Sequence, residues 1–239
     1  MRLKLLTILL AILAIAPATV IAQESESLYN GWGIGFQVGA GMMAPTGSLS
    51  DDLKGCVMFT GGLMGEYRNL RLKADVAYGQ PSFKNENPYA VRDDSGRNLQ
   101  LNGTASTTLL GGGLQVGYTV VRRGRVAVTP CVGMSASRLS WEINHLKWEK
   151  DDEGEERPTI DNVTGAHENT IGWMASVDFD ISLHGKITDS PFGDGQAHYG
   201  SLLRVTPFVS HAKFSNFSPG VKGVCIGISV SYAGLMRLL

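Results

Sequence analysis

Seven ionisable residues fall at alternate positions of short apolar-polar stretches: Glu66, Arg71, Lys73 and Asp75 in one region, Asp178 and Asp180 in a second, and Arg204 in a third. Gathered in one enclosed space, such a set has two possible chemistries. It can pass ions or protons, or its charges can neutralise one another and fill the space, since buried ions of one sign are costly and mixed signs are not. Two glycine-rich stretches, GWGIGFQVGAGMM at 31–43 and GGGLQVGY at 111–118, suggest a different chemistry, the cradling of a phosphate. A dinucleotide loop needs glycines at i, i+2 and i+5, and the third of these falls on Val38 in one copy and Val116 in the other. No cofactor is expected.

The remaining reactive types are sparse. Cys56, Cys131 and Cys225 are an odd set in an exported chain and follow no CxxC or Cys/His metal spacing, so they are expected as packing residues and no metal site is expected. Cys56 and Cys225 flank the first strand, which puts their Cα atoms near twice the ~4.8 Å strand spacing and beyond disulfide reach. The acidic run EKDDEGEERP at 149–158 lacks the ligand order of an EF-hand and is read as solvated, with weak divalent binding left open.

The elements that would position the charges are read by parity. From Trp32 the even positions are Trp32, Ile34, Phe36, Val38, Ala40 and Met42, while the odd ones are mostly glycine, which is the period of a strand. The same alternation recurs at 56–67, 70–80, 107–121, 125–138, 170–184, 202–213 and 222–233. Arg68-Asn69 and Arg122-Arg123-Gly124 are expected as tight turns, with Tyr67 opposite Leu70, Glu66 opposite Arg71, Val121 opposite Arg125 and Tyr118 opposite Val128. The stretches 44–55, 81–106, 139–169 and 214–221 are expected as polar loops at the other end, and 185–201 as a long connection on the short-turn side. The predicted fold is all-β: an eight-stranded antiparallel up-and-down transmembrane β-barrel.

A soluble barrel would bury its apolar face. Here the other face is glycine and serine with a few charges, a poor exterior but a good filling for a tight lumen. The apolar face is therefore assigned to lipid, and aromatics fall on it as interfacial girdles: Trp32, Tyr67, Tyr118 and Tyr232 toward the short turns, Tyr78 and Trp173 toward the long loops. All three cysteines and the seven charges have lumen parity.

On these residues the chain resembles the small eight-stranded outer-membrane barrels of the OmpA/OmpX type, and the porin-like outer-membrane β-barrel domains more widely, across Trp32–Tyr232. VTPCVG at 128–133 and VTPFV at 205–209 are similar to the Pro-x-Val strand motif of that family. The family usually closes its last strand with a terminal aromatic, whereas Tyr232 is followed here by Ala-Gly-Leu-Met-Arg-Leu-Leu. The resemblance implies contact with outer-membrane lipid and lipopolysaccharide, and folding through the barrel-assembly machinery. SHAKFSNFSPG at 210–220 is similar to the His-x-Ser-Asn stretch of outer-membrane lipid A deacylases, but His211 precedes Ser215 by four residues rather than two. That family's catalytic pair is not carried over, and no catalytic residue is expected.

The ends agree with export. Arg2 and Lys4, the apolar run Leu5–Ile15, Pro17 and Val20-Ile21-Ala22 have the parts of a signal peptide over 1–22, to be cleaved and leave a barrel domain over 23–239. The apolar run is shorter than the roughly 20 residues of a spanning helix. A formal net charge of −1 gives no reason to expect nucleic acid as a partner, and no peptidoglycan-binding domain is expected after Leu239. The expected role is that of a non-enzymatic protein of the Gram-negative outer membrane, a scaffold presenting four loops at the cell surface for envelope integrity or adhesion to an unknown ligand. A lipid-modifying enzyme and a narrow channel are the alternatives.

Overall fold

The structure is a computed structural model, and it describes residues 31–239 apart from 83, 85–88, 93–97, 102–105, 151–155, 194 and 215–220; the segment 1–22 and its cleavage point lie outside the described residues. The elements are β1 (Trp32–Pro45), α1 (Leu49–Asp52), β2 (Cys56–Tyr67), β3 (Leu70–Gly79), β4 (Tyr89–Arg92), β5 (Asn98–Leu101), β6 (Ser106–Tyr118), β7 (Val121–Arg123), β8 (Val126–Lys150), β9 (Glu156–Asp189), β10 (Gln196–Phe214) and β11 (Val221–Leu238). Each long strand pairs antiparallel with its neighbours in sequence, β11 pairs with β1, and β6 pairs with β8 past the short β7. The sheet therefore closes into a ring of eight staves, with β6 and β7 forming one of them. No helix among the described residues is long and apolar enough to cross a membrane; the strands cross instead, with no open edge in the ring.

Register fixes the shape. Gly33 pairs with Glu66, Glu66 with Arg71, Arg71 with Gly117, and Gly117 with Cys131. Cys131 pairs in turn with Ser176, Ser176 with Phe208, Phe208 with Gly227, and Gly227 with Met43. One circuit of the wall thus climbs β1 from position 33 to position 43, a stagger of ten residues. With ~3.3 Å per residue and ~4.8 Å between strands, the strands tilt by about 40° to the barrel axis, as closed eight-stranded barrels require.

Sidedness follows from the alternation. Ile34, Phe36, Val38, Leu63, Leu72, Leu114, Val132 and Ile171 are exposed on the outside, and Glu66, Arg71, Lys73, Gln115, Asp178 and Arg204 are buried inside. An apolar exterior around a polar, closed interior is a membrane-spanning barrel of the outer-membrane type. On the 40° tilt, Tyr78 and Trp173 stand within about 1 Å of the same height, and both are about 25 Å above Trp32, the span of a hydrocarbon layer. Tyr67 lies at the lower edge, its ring 4.6 Å from that of Trp32, and Tyr118 stands in the lower half of the belt, roughly 9 Å above Trp32. Tyr232 differs from the sequence expectation. It is opposite Val38, roughly 12 Å above Trp32 on the same tilt, because β11 continues to Leu238.

The hairpin of Arg68 and Asn69 pairs Tyr67 with Leu70 and Glu66 with Arg71, as its two-residue length requires. The second turn departs from expectation. Gly117 pairs with Cys131 but Val121 pairs with Val128, not Arg125, so one extra residue is accommodated around Thr119 and Val120. The turn itself is Gly124 and Arg125, with Gly124 at φ +56°, a left-handed conformation that suits glycine.

Three other expectations are corrected. The stretch 139–169 is mostly not loop, because β8 and β9 stay paired from the barrel out to Lys150 and Glu156. From Met134 to Lys150 that hairpin runs on the order of 50 Å of chain. The stretch 185–201 is also largely paired, as the tail of β9 and the head of β10. A bulge between Ser201 and Leu202 absorbs Leu183, turning the following residues over, so His184 is exposed and Ile187 pairs with His198 on the inner side. Within 81–106, β4 and β5 form a separate two-stranded hairpin.

Candidate functional site

Inside the ring the charges meet. Arg71 donates to Glu66 through Nε (2.8 Å), to Asp178 through Nη1 (2.9 Å) and to Asp180 through Nη2 (2.6 Å). Lys73 Nζ donates to Asp178 (2.9 Å) and lies 3.7 Å from Asp75. Arg204 holds Asp180 with two bonds, from Nε at 2.6 Å and Nη2 at 3.0 Å. These residues come from β2, β3, β9 and β10, on facing parts of the wall, so the seven residues singled out in the sequence form one contiguous cluster.

Three further participants are not among them. Arg237 pairs with the second oxygen of Glu66, bringing the cluster to four cations and four carboxylates. Its signal is present in the sequence: the lumen parity of Cys225, Gly227, Ser229 and Ser231 continues to position 237. The strand expected over 222–233 stops short of it, whereas β11 runs on to Leu238. Gln37 and Gln115 complete the set. Arg204 Nη1 donates to Gln37 Oε1 (2.6 Å), Gln37 donates in turn to Asp75, and Gln115 Nε2 donates to the other Asp75 oxygen (3.0 Å). Ser176 donates to Gln115 (2.7 Å) and Thr206 to Asp178 (3.0 Å).

The network draws on seven of the eight staves, and the eighth contributes the Cys131 thiol, 3.8 Å from Asp178. Asp178 and Arg204 are fully buried. With equal numbers of positive and negative groups, each held by at least one opposite charge, the arrangement fills the lower lumen with matched charge.

Above it the lumen changes character. Met43, Met58, Leu139, Ala212, Phe214 and Cys225 form an apolar cluster, closed by Leu49 of α1 and by Leu53, the residue that follows the helix. Between that cluster and the ion network lies a cavity of about 110 Å³. Cys56, Cys131 and Cys225 are all free thiols. His211 faces outward and stacks on Trp173 with ring centroids 6.3 Å apart, while Ser215 and Asn216 lie outside the described residues. Half of the acidic run, 151–155, does too, and among the described residues no group of three His, Cys, Asp or Glu is placed to hold a metal.

No family model and no curated protein matches the sequence. Among solved structures the chain is similar to the attachment invasion locus protein Ail of Yersinia pestis, at 8% identity over 87% of this chain and 99% of that one, with a TM-score of 0.41. It is also similar to Neisserial surface protein A, at 11% identity over 86% and 97% with a TM-score of 0.39. The outer membrane protein OprG of Pseudomonas aeruginosa shows 10% identity over 88% and 97%, with a TM-score of 0.40. These are likenesses of general shape; the character of this barrel rests on its own register, belt and lumen.

Proposed function

We propose that the chain is a non-enzymatic protein of the bacterial outer membrane, a closed barrel that anchors surface segments for contact with other molecules or for envelope integrity. The observation that carries this reading is the matched ion network across the lumen, which favours an anchor over a channel. The β8–β9 hairpin, continuous with the wall, is the segment best built to reach outward, since a site on a rigid scaffold is held in place by it. Lipid and lipopolysaccharide would surround the belt, the assembly machinery would insert the barrel, and residues 1–22 would be removed on export.

Two measurements on the full chain test it. Planar-bilayer recordings should show no steady conductance. Cells displaying the parent should bind at least one of a panel of immobilised matrix proteins and glycans, and cells displaying a variant with 142–165 replaced by a short turn should lose that binding. A porin-sized conductance, or a binding profile unchanged by the shortened hairpin, would count against the anchor.

A further inference from the structure

The GGG at 111–113 belongs to a strand and not to a phosphate loop, yet it opens space. Gly111 and Gly113 face the lumen from β6, opposite Ser137 and Ser135 of β8. Met174 Sδ occupies the place where a side chain on Gly113 would begin, at 2.2 Å from an ideal Cβ. A Cβ on Gly111 would meet nothing nearer than Ser137 Oγ at 3.7 Å. The space left open at Gly111 forms part of the cavity of about 110 Å³ that lies between the ion network and the apolar cap, whereas that at Gly113 is taken by Met174.

Met43, Met58, Leu109, Met174 and Phe208 supply an apolar wall, the floor is Lys73 and Asp75, whose charges are already matched, and Thr60, Ser137, Ser210 and Ser229 add hydroxyls around it. One hydroxyl of the lining is both buried and unpaired. Ser135 is only 6% exposed, lines the cavity, and its Oγ has no hydrogen-bond partner among the described residues. A buried hydroxyl without a partner is destabilising, and an apolar pocket with a few convergent polar groups is the usual form of a small-molecule site.

We propose that this cavity binds one small neutral amphiphile, with an apolar body about the size of an aromatic ring and a single hydroxyl or N–H group paired with Ser135 Oγ. The volume sets the upper limit: an engineered apolar cavity of roughly 150 Å³ accommodates benzene, so a cavity of about 110 Å³ takes nothing larger than one such ring. Neutrality follows from the floor, where four cations already face four carboxylates and an added charge would stand uncompensated. Entry is from the long-loop end, where Leu49 of α1 and the following Leu53 complete the apolar cap. This site is independent of whether the surface hairpin binds a partner.

Phenol and benzene are suitable probes, read by methyl NMR of the refolded full chain. Met43, Met58 and Met174 line the cavity, whereas Met42 and Met134 face the detergent and report non-specific partitioning. Phenol should shift the three lumen methyls saturably and leave the two outer ones on a linear, non-saturating course. Ser135→Ala should weaken phenol roughly 3- to 10-fold, the value of one neutral hydrogen bond, and leave benzene unchanged. Gly111→Leu, which fills the space without a backbone clash, should abolish both, and if it does not fold, Ser135→Ala decides alone. Equal phenol affinity in parent and Ser135→Ala, or no saturable shift of the lumen methyls, would overturn the proposal.

Discussion

Arg71 on β3 reaches Asp178 on β9 across the lumen at 2.9 Å, with neither side chain more than 2% exposed. Asp178 also accepts from Lys73 and Thr206, so removing its carboxylate strands three donors at once. Asp178→Ala should cost about 3–5 kcal/mol, the range for breaking a buried pair by removing one partner. Urea unfolding in lipid vesicles, followed by tryptophan fluorescence, measures it. A variant as resistant as the parent would mean the network does not hold the lumen together.

Glu66 sits between two guanidinium groups, those of Arg71 and Arg237. Arg237→Ala leaves Glu66 its bonds to Arg71, so the loss should be smaller, about 1.5–3 kcal/mol, the value of a hydrogen bond to a charged group. A double-mutant cycle with Glu66→Gln should show non-additivity of at least about 0.5 kcal/mol, as contacting residues do. Strict additivity would mean that the pair contributes nothing of its own.

Where the sequence was legible, burial on one face made it so. The even positions of β1 and the Tyr67–Leu70 turn state their register without ambiguity, because a one-residue slip would put Glu66 and Arg71 into lipid. The errors cluster at bulges. Along β8 the apolar residues pass from Met134 to Leu139, Trp141 and Ile143 and then to Leu146 and Trp148, and β9 carries an extra residue at Asp161, so a strict period of two fails and the hairpin reads as loop. The same happens at Leu183, and around Thr119 and Val120. The cavity was unreadable for another reason: a void depends on what faces Gly111 across the lumen, and no local pattern records that.

Leu49 is almost completely buried although α1 is a single turn, held by the Leu53 N–H donating to the Leu49 carbonyl at 3.0 Å. Packing rather than helix propensity therefore keeps the cap in place. Leu49→Ala should weaken it by about 2–3 kcal/mol, which is roughly 30- to 150-fold faster exchange of the Leu53 amide. Amides of the ring, such as that of Val116, should exchange as in the parent. A uniform rise across the barrel would mean that the cap does not open separately.

Trp32 and Trp173 mark opposite edges of the belt, about 25 Å apart on the strand tilt. Both side chains are at least half exposed on the outer wall. In variants retaining one of them, with the other three tryptophans replaced by phenylalanine, lipids brominated near the headgroup should quench fluorescence more than lipids brominated near the chain end. The third position for comparison is Val116, which stands about halfway up the same wall and is also outward-facing. Val116→Trp, in a chain lacking the native tryptophans, should show the opposite order, with the chain-end bromines quenching more. If Trp32 or Trp173 instead followed the Val116→Trp pattern, the bilayer would be displaced along the barrel, and the aromatic residues would not mark its interfaces.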